Sequence, residues 1–170
     1  LRGEALPREE ARAVLHLPDE QMLLLLDAAY RVRSHYWGRT VHLHMLVNAK
    51  SGLCPEDCGY CSQSSVSTAE IEKYPWLNEE QLLDGARRAK EVHAKRYCIV
   101  ASGRSPTQGE LENLARVIRR IKQEVGIGVC TSLGLLTEEK ALLLKDAGVD
   151  QVTHNLHTSQ RYSPQVCTTH

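Results

Sequence analysis

Between residues 78 and 154 the hydrophobic pattern switches repeatedly between a helical period and a short, nearly all-apolar run, and this alternation restricts the fold more than any other feature of the chain. Leu82, Leu83, Ala86 and Ala89 recur at helical spacing within residues 78–93, and residues 97–101 (YCIVA) follow as a strand. Pro106 opens a second helix, on which Leu111, Leu114, Ala115, Ile118 and Ile121 share one face. Residues 127–131 form the next strand, 137–147 a third helix stopped by Gly148, and 149–154 a fourth strand. Upstream, residues 41–47 (VHLHMLV) read as the first strand. Apolar strands joined by amphipathic helices demand a parallel sheet with crossover helices. An open doubly wound sheet and a (βα) barrel are the two ways to arrange it.

Residues 7–36 read as helix in two segments. Pro7 opens the first, and Asp19 caps a second in which Met22, Leu25, Leu26, Ala29 and Val32 share a face. The expected organisation is an N-terminal helical segment, residues 1–36, followed by a partial (βα) barrel, residues 37–170. The polar residues favour the barrel, because working groups of barrels gather at the C-terminal ends of strands. A Cys-rich loop follows strand one, Cys98 lies in strand two, Cys130 in strand three, and His154 and Asn155 end strand four. Cys98 and Cys130 are about one βα unit apart, so similar heights on adjacent strands bring their sulfurs together. His42 and His44 share a strand face by period two and are expected as hydrogen-bonded fillers of the barrel interior in preference to ligands.

Composition narrows the function. The 170 residues carry 21 basic and 21 acidic side chains, with no electrostatic reason to expect nucleic acid or anionic lipid as a partner. Basic groups on the helices, such as Arg116, Arg119 and Arg120, lie among acids and read as solvated faces. The longest apolar stretch, around residues 23–26, is far short of the roughly 20 residues of a membrane span, and residues 1–10 lack the apolar core of a signal peptide. The expectation is a reducing, cytoplasmic location, where six cysteines serve metal or redox chemistry more readily than disulfides.

Cys54, Cys58 and Cys61 form a C-x3-C-x2-C run inside NAKSGLCPEDCGYCSQSS, a long Gly-, Ser- and Pro-containing loop of the kind that is usually functional. Thiolates suit zinc, copper or iron-sulfur clusters. Zinc needs a fourth ligand for a closed site, and His42 or His44 are the available donors. A cubane cluster on three cysteines keeps one iron open to another molecule. Cys167 stands outside the run and reads as an ordinary thiol.

The C-x3-C-x2-C run, with an aromatic residue before its third cysteine, resembles the signature of the radical S-adenosylmethionine (SAM) superfamily. The wording NAKSGLCPEDCGYCSQS, with YCIVASG, CTSLGLL and HNLHTS downstream, is similar to the biotin synthase family within it, over roughly residues 20–170. The resemblance implies that Cys54, Cys58 and Cys61 hold a 4Fe-4S cluster that binds SAM. It also implies that Tyr60 lies against the adenine, that Ser102 and Gly103 approach the methionine part, and that Asn155 contacts the ribose or the substrate's ureido ring. Cys98 and Cys130 are implied ligands of an auxiliary iron-sulfur cluster, commonly 2Fe-2S, whose sulfide enters dethiobiotin to make biotin. A flavodoxin- or ferredoxin-like electron donor and a homodimer are implied as well. Thr153 and His157 depart from the family, which commonly has Asn and an acidic or amide residue there, although His157 can still donate a hydrogen bond.

Family members run about twice as long, so a fragment is expected, one that assembles the SAM-binding cluster without converting dethiobiotin to biotin. The competing readings are another radical SAM enzyme, and a non-catalytic zinc module or iron-sulfur carrier.

Overall fold

A computed structural model describes residues 3–169. The chain packs as two compact units, one ending at Val41 and the other beginning at His42. The first contains α1 (Arg8–Leu15), a 3-10 turn (Asp19–Gln21) and α2 (Met22–Trp37). The Arg33 guanidinium donates to the carbonyls of Gly38 (2.6 Å) and Thr40 (2.8 Å), fixing the turn that follows α2. The apolar face expected on α2 exists in the sequence, yet no residue of α1 or α2 is buried.

The second unit runs β1 (His44–Lys50), α3 (Glu79–Glu91), β2 (Arg96–Ala101), α4 (Gln108–Glu124), β3 (Gly128–Ser132), α5 (Glu138–Asp146), β4 (Gln151–Val152) and α6 (Ser163–Val166). The four strands form one parallel sheet in the order β1-β2-β3-β4. The α/β class and the parallel sheet are therefore as the alternation predicts, and the sheet does not close on itself. Among the described residues no helix is long and apolar enough to cross a membrane.

Local chemistry explains where the helices start. Asn78 and Gln81 form a reciprocal capping box at α3, as Thr107 and Glu110 do at α4, and the Thr137 hydroxyl accepts from the Lys140 amide at α5. The period of two then divides the sheet. Tyr97 and Ile99 of β2 and Val129 and Thr131 of β3 are fully buried, the first three packing with Leu82, Leu83, Ala86, Leu111, Leu114, Ile118, Ile121 and Leu144 of the helices. Alternate residues, including Leu46, Cys98 and Cys130, point to the opposite face.

Strand one differs from the sequence reading. It begins three residues late and extends to Lys50, because Asn48 and Lys50 pair with Val100 and Ala101 of β2. His42 thus precedes the strand, its ring nitrogens 3.4 Å from Lys95 Nζ, and both His42 and His44 are exposed, so neither fills an interior. β4 shrinks to two residues, and α6 is an element that the periodicity did not reveal.

Gly85 sits where α3 crosses Tyr97, and a Cβ there would come within 2.2 Å of the Tyr97 hydroxyl oxygen and 2.9 Å of its Cζ. That hydroxyl is buried, without a hydrogen-bond partner among the described residues. Alanine in a helix interior usually gains about 1 kcal/mol over glycine. Gly85→Ala is expected to reverse that sign and lower the urea midpoint, whereas Tyr97→Phe, which removes an unsatisfied buried hydroxyl, raises the midpoint, a gain of about 1 kcal/mol or more in unfolding free energy.

Candidate metal centre

All loops that follow the strands emerge at one end of a parallel sheet, and here they are bonded to one another. The longest, between β1 and α3, is tied down at both ends. Ser51 and Tyr74 pair as an antiparallel bridge, with both N–H···O distances 3.1 Å, and the Leu77 amide donates to Ala49 O (2.7 Å). Glu110, at the third position of α4, accepts from Lys50 Nζ (3.0 Å) and Trp76 Nε1 (2.6 Å). One carboxylate thereby ties the last residue of β1 to the closing stretch of the loop before α3. Burial opposes ionisation of Glu110, but bonds from Thr107, Lys50 and Trp76 prevail and hold its pKa at about 2.

Within this frame the chain turns sharply. Gly52 (φ 61°) and Leu53 (φ 54°) are consecutive left-handed residues just before Cys54; glycine adopts this conformation freely, while leucine pays for it in strain. The Cys61 amide donates to Cys58 O, the Ser64 amide to Cys61 O (both 3.1 Å), and the Gln63 amide to Cys61 Sγ (3.4 Å). Glu56, almost fully buried, accepts at its carbonyl from Ser65 and at its carboxylate from Arg104 Nη1 (3.5 Å). Arg104 belongs to the loop after β2. In that loop the Ser102 amide donates to Lys50 O (3.0 Å) and its hydroxyl to Gly52 O. The Leu135 amide of the loop after β3 donates to Arg104 O (2.7 Å), an approach that leaves room only for Gly134, whose Cβ would lie 2.2 Å from that oxygen.

The three cysteines lie within eight residues of this loop. Cys58 is buried, whereas Cys54 and Cys61 are half-buried. Among the described residues no three metal-ligating side chains converge as a ready-made site. The donor set nevertheless fits a thiolate-bound centre: three thiols in one short loop, with a backbone N–H already directed at the Cys61 sulfur. Cys58 instead faces Cys167, their sulfurs 3.3 Å apart, so the thiol read as ordinary in sequence is a neighbour of the loop. Burial, then the bond with Cys167, pushes the Cys58 pKa up to about 11.

Tyr60 stacks on His157, with ring centroids 3.9 Å apart and an interplanar angle of 29°. Both line a cavity of about 420 Å³ together with His154, Asn155, Leu156 and Cys167, so three residues picked from sequence, Tyr60, Asn155 and His157, meet around one space. Burial, and next the charge of Cys58, raises Tyr60 to about 12. Gly103 (φ 126°) has open space where a Cβ would lie, and Ser102 spends its hydroxyl on Gly52.

Cys98 and Cys130 are direct partners in the β2–β3 register, within a row that runs Leu46, Cys98, Cys130, Gln151. The adjacency inferred from strand spacing is therefore present. Burial, then the neighbouring Cys130 thiol, raises Cys98 to about 11. Cys130 Sγ lies 3.1 Å from the Thr153 hydroxyl, whose backbone amide donates to Thr131 O (2.8 Å). Sequence reading missed Glu56, Arg104, Glu110 and the Cys167 contact; the C-P-E-D-C wording was the one available signal, and only for Glu56.

Comparison with known proteins gives a consistent picture. Residues 50–170 match the radical SAM superfamily. The chain is 51% identical over 170 residues to the biotin synthase of Bacillus subtilis subsp. natto, covering 100% of this chain and 51% of the relative. It is 51% identical over 168 residues to the biotin synthase of Lysinibacillus sphaericus, covering 99% and 51%. The chain thus spans about half the length of the curated relatives it matches. Among solved structures, methylornithine synthase PylB superposes with a TM-score of 0.75 at 23% identity, over 88% of this chain and 44% of that one. The FeFe-hydrogenase maturase HydG gives 0.77 at 18% identity, over 98% and 38%. These two likenesses establish a shared fold.

Glu110 yields a pH test. Its folded pKa lies below the ordinary carboxylate value of 4.5, so its contribution to stability is complete above pH 4.5 and disappears as pH falls through about 2. Glu110→Gln is expected to be less stable than the parent at pH 7, with the difference shrinking between pH 4.5 and 2 in urea titrations.

Proposed function

The chain belongs to the radical SAM superfamily, a membership that implies a 4Fe-4S cluster and SAM as cofactors, and from it we propose that the protein provides the cluster- and SAM-binding half of a biotin synthase, which inserts sulfur into dethiobiotin. The observation that carries this reading is identity of about 50% along the whole chain to biotin synthases. Two further thiols on the sheet face opposite the helices, the half-buried Cys98 and the buried Cys130, support it, since sulfur insertion needs a sulfur source beside the radical centre. The reduced cluster with SAM supplies a 5′-deoxyadenosyl radical able to take hydrogen from an unactivated carbon.

The protein's part is to hold and to exclude. Cys54, Cys58 and Cys61 hold the cluster, and the Gln63 amide steadies the Cys61 sulfur. Tyr60, stacked on His157, offers an aromatic wall to the adenine, and His157 supplies a ring nitrogen where the family has an acidic or amide residue. Asn155, on the same cavity, hydrogen-bonds the ribose or the ureido ring. Ser102 and Gly103 border the methionine part: the Ser102 hydroxyl fixes the loop to Gly52, and Gly103 leaves the backbone unobstructed. Cys98 and Cys130 are ligands of the auxiliary cluster, for which 2Fe-2S is the proposed type. The electron donor is a flavodoxin or ferredoxin, the working assembly a homodimer, and the compartment the cytoplasm.

The uncovered face sets a limit on what these 170 residues do alone. Leu46, beside Cys98 in the register, is 60% exposed, and a radical generated beside so open a face meets solvent and side chains. SAM cleavage by this chain alone is therefore expected to be uncoupled from biotin formation.

Anaerobic reconstitution with iron and sulfide tests the reading. The expected product is a 4Fe-4S cluster whose electron paramagnetic resonance signal changes on adding SAM. Serine at Cys54, Cys58 or Cys61 abolishes it, and serine at Cys98 or Cys130 leaves it intact. A colourless zinc-loaded protein, or a cluster spectrum indifferent to SAM, overturns the proposal.

A further inference from the structure

The segment after β4 returns to the cysteine loop and is fastened there. The Gly59 amide donates to Val166 O (2.9 Å). The Asp57 carboxylate, one residue before Cys58, accepts from the amides of Thr168 (2.9 Å) and Thr169 (3.2 Å), from both threonine hydroxyls, and from Cys167 Sγ (3.1 Å). These bonds come mostly from residues that flank the two sulfurs, so they hold the Cys58 and Cys167 segments together. The sulfurs lie 3.3 Å apart, buried on the Cys58 side and partly open on the Cys167 side.

We propose that Cys58 and Cys167 form a reversible disulfide in the cluster-free protein, an oxidised state that removes one sulfur from the three-cysteine set. The oxidant is a small-molecule disulfide of the glutathione class. The Cys167 thiolate, the more accessible, attacks one sulfur of glutathione disulfide and releases a glutathione thiolate. The Cys58 sulfur then attacks the Cys167 sulfur of the mixed disulfide and expels the second glutathione thiolate. The two protein thiol protons pass to the two released thiolates. Two cysteines are oxidised, and one glutathione disulfide is reduced to two thiols. Reduction by excess glutathione or a dithiol runs the same exchange backwards and returns Cys58 to the loop.

Disulfide formation stands on geometry alone, while its effect on cluster assembly rests on the proposal that Cys54, Cys58 and Cys61 hold the cluster. The two parts separate experimentally. Metal-free protein is incubated anaerobically with glutathione disulfide, alkylated, digested and mapped by mass spectrometry. The expected product is a Cys58–Cys167 cross-link as the dominant species, reversed by dithiothreitol. Pairing of Cys58 with Cys54 or Cys61, or a stable glutathione adduct on Cys167 beside an alkylated Cys58, overturns the inference.

Reconstitution after the same oxidation, without added reductant, provides the second measurement. The parent chain is expected to lose most of its cluster absorbance, and Cys167→Ser to retain most of it. Equal losses in the two proteins overturn the switch. If fully reduced protein takes up no cluster, the cofactor reading fails while the peptide map still decides the disulfide.

Discussion

The alignment of Cys98 and Cys130 depends on the sheet being packed against helices from one side. Tyr97, Ile99 and Val129 bury one row of side chains against α3, α4 and α5, and the period of two then assigns their neighbours to the opposite face. Cys98 and Cys130 share that face because each sits next to a core residue, and they share a height because Tyr97 pairs with Val129 in the register one position away. A one-residue slip of β2 against β3 would offset the two thiols and move one strand's apolar row out of the core. The hydrophobic contacts that stabilise the unit are thus the same contacts that align its sulfurs.

A second layer of constraint holds the long loop. Such a segment has few apolar contacts of its own, so its order must come from hydrogen bonds at its borders. Lys50 and Trp76 meet on Glu110; Ser51 and Tyr74 pair; Glu56 reaches Arg104, whose carbonyl receives Leu135. The loops after β1, β2 and β3 therefore form one connected set. The left-handed Gly52 and Leu53 lie inside this bracket, where the surrounding bonds sustain an unfavourable leucine conformation immediately before the first cysteine.

The legible and the illegible parts of the fold separate on physical grounds. Helices α3, α4 and α5 follow from amphipathic period and capping residues, both local, and they appear within a few residues of the expected limits. Strand β1 was misplaced because Asn48, Ala49 and Lys50 have no strand propensity of their own; pairing with β2 recruits them. The Cys98–Cys130 pair was legible because parallel strands one βα unit apart have little freedom in register. The bond between Cys58 and Cys167 spans more than a hundred residues and has no periodicity behind it, so spacing had nothing to say about it. His42 shows the reverse error, in which a correct alternation was carried past the true start of the strand, while His44 is the exposed first residue of β1.

Thr153 shows how a departure from a familiar pattern can still serve the site. Its amide is bound to Thr131 O, so the β3–β4 connection sets its position, and its hydroxyl meets Cys130 Sγ. A carboxamide presents a fixed acceptor on one side and fixed donors on the other, and must turn over to exchange them. A hydroxyl rotates about a single bond, accepting from a thiol or donating to a thiolate without moving its oxygen. In the role proposed for Cys130, as a cysteine that is a free thiol without the auxiliary cluster and a thiolate with it, that freedom keeps a polar partner in place in both states. Where the chain forgoes the amide, it loses reach toward a ligand and keeps a hydrogen bond to the sulfur.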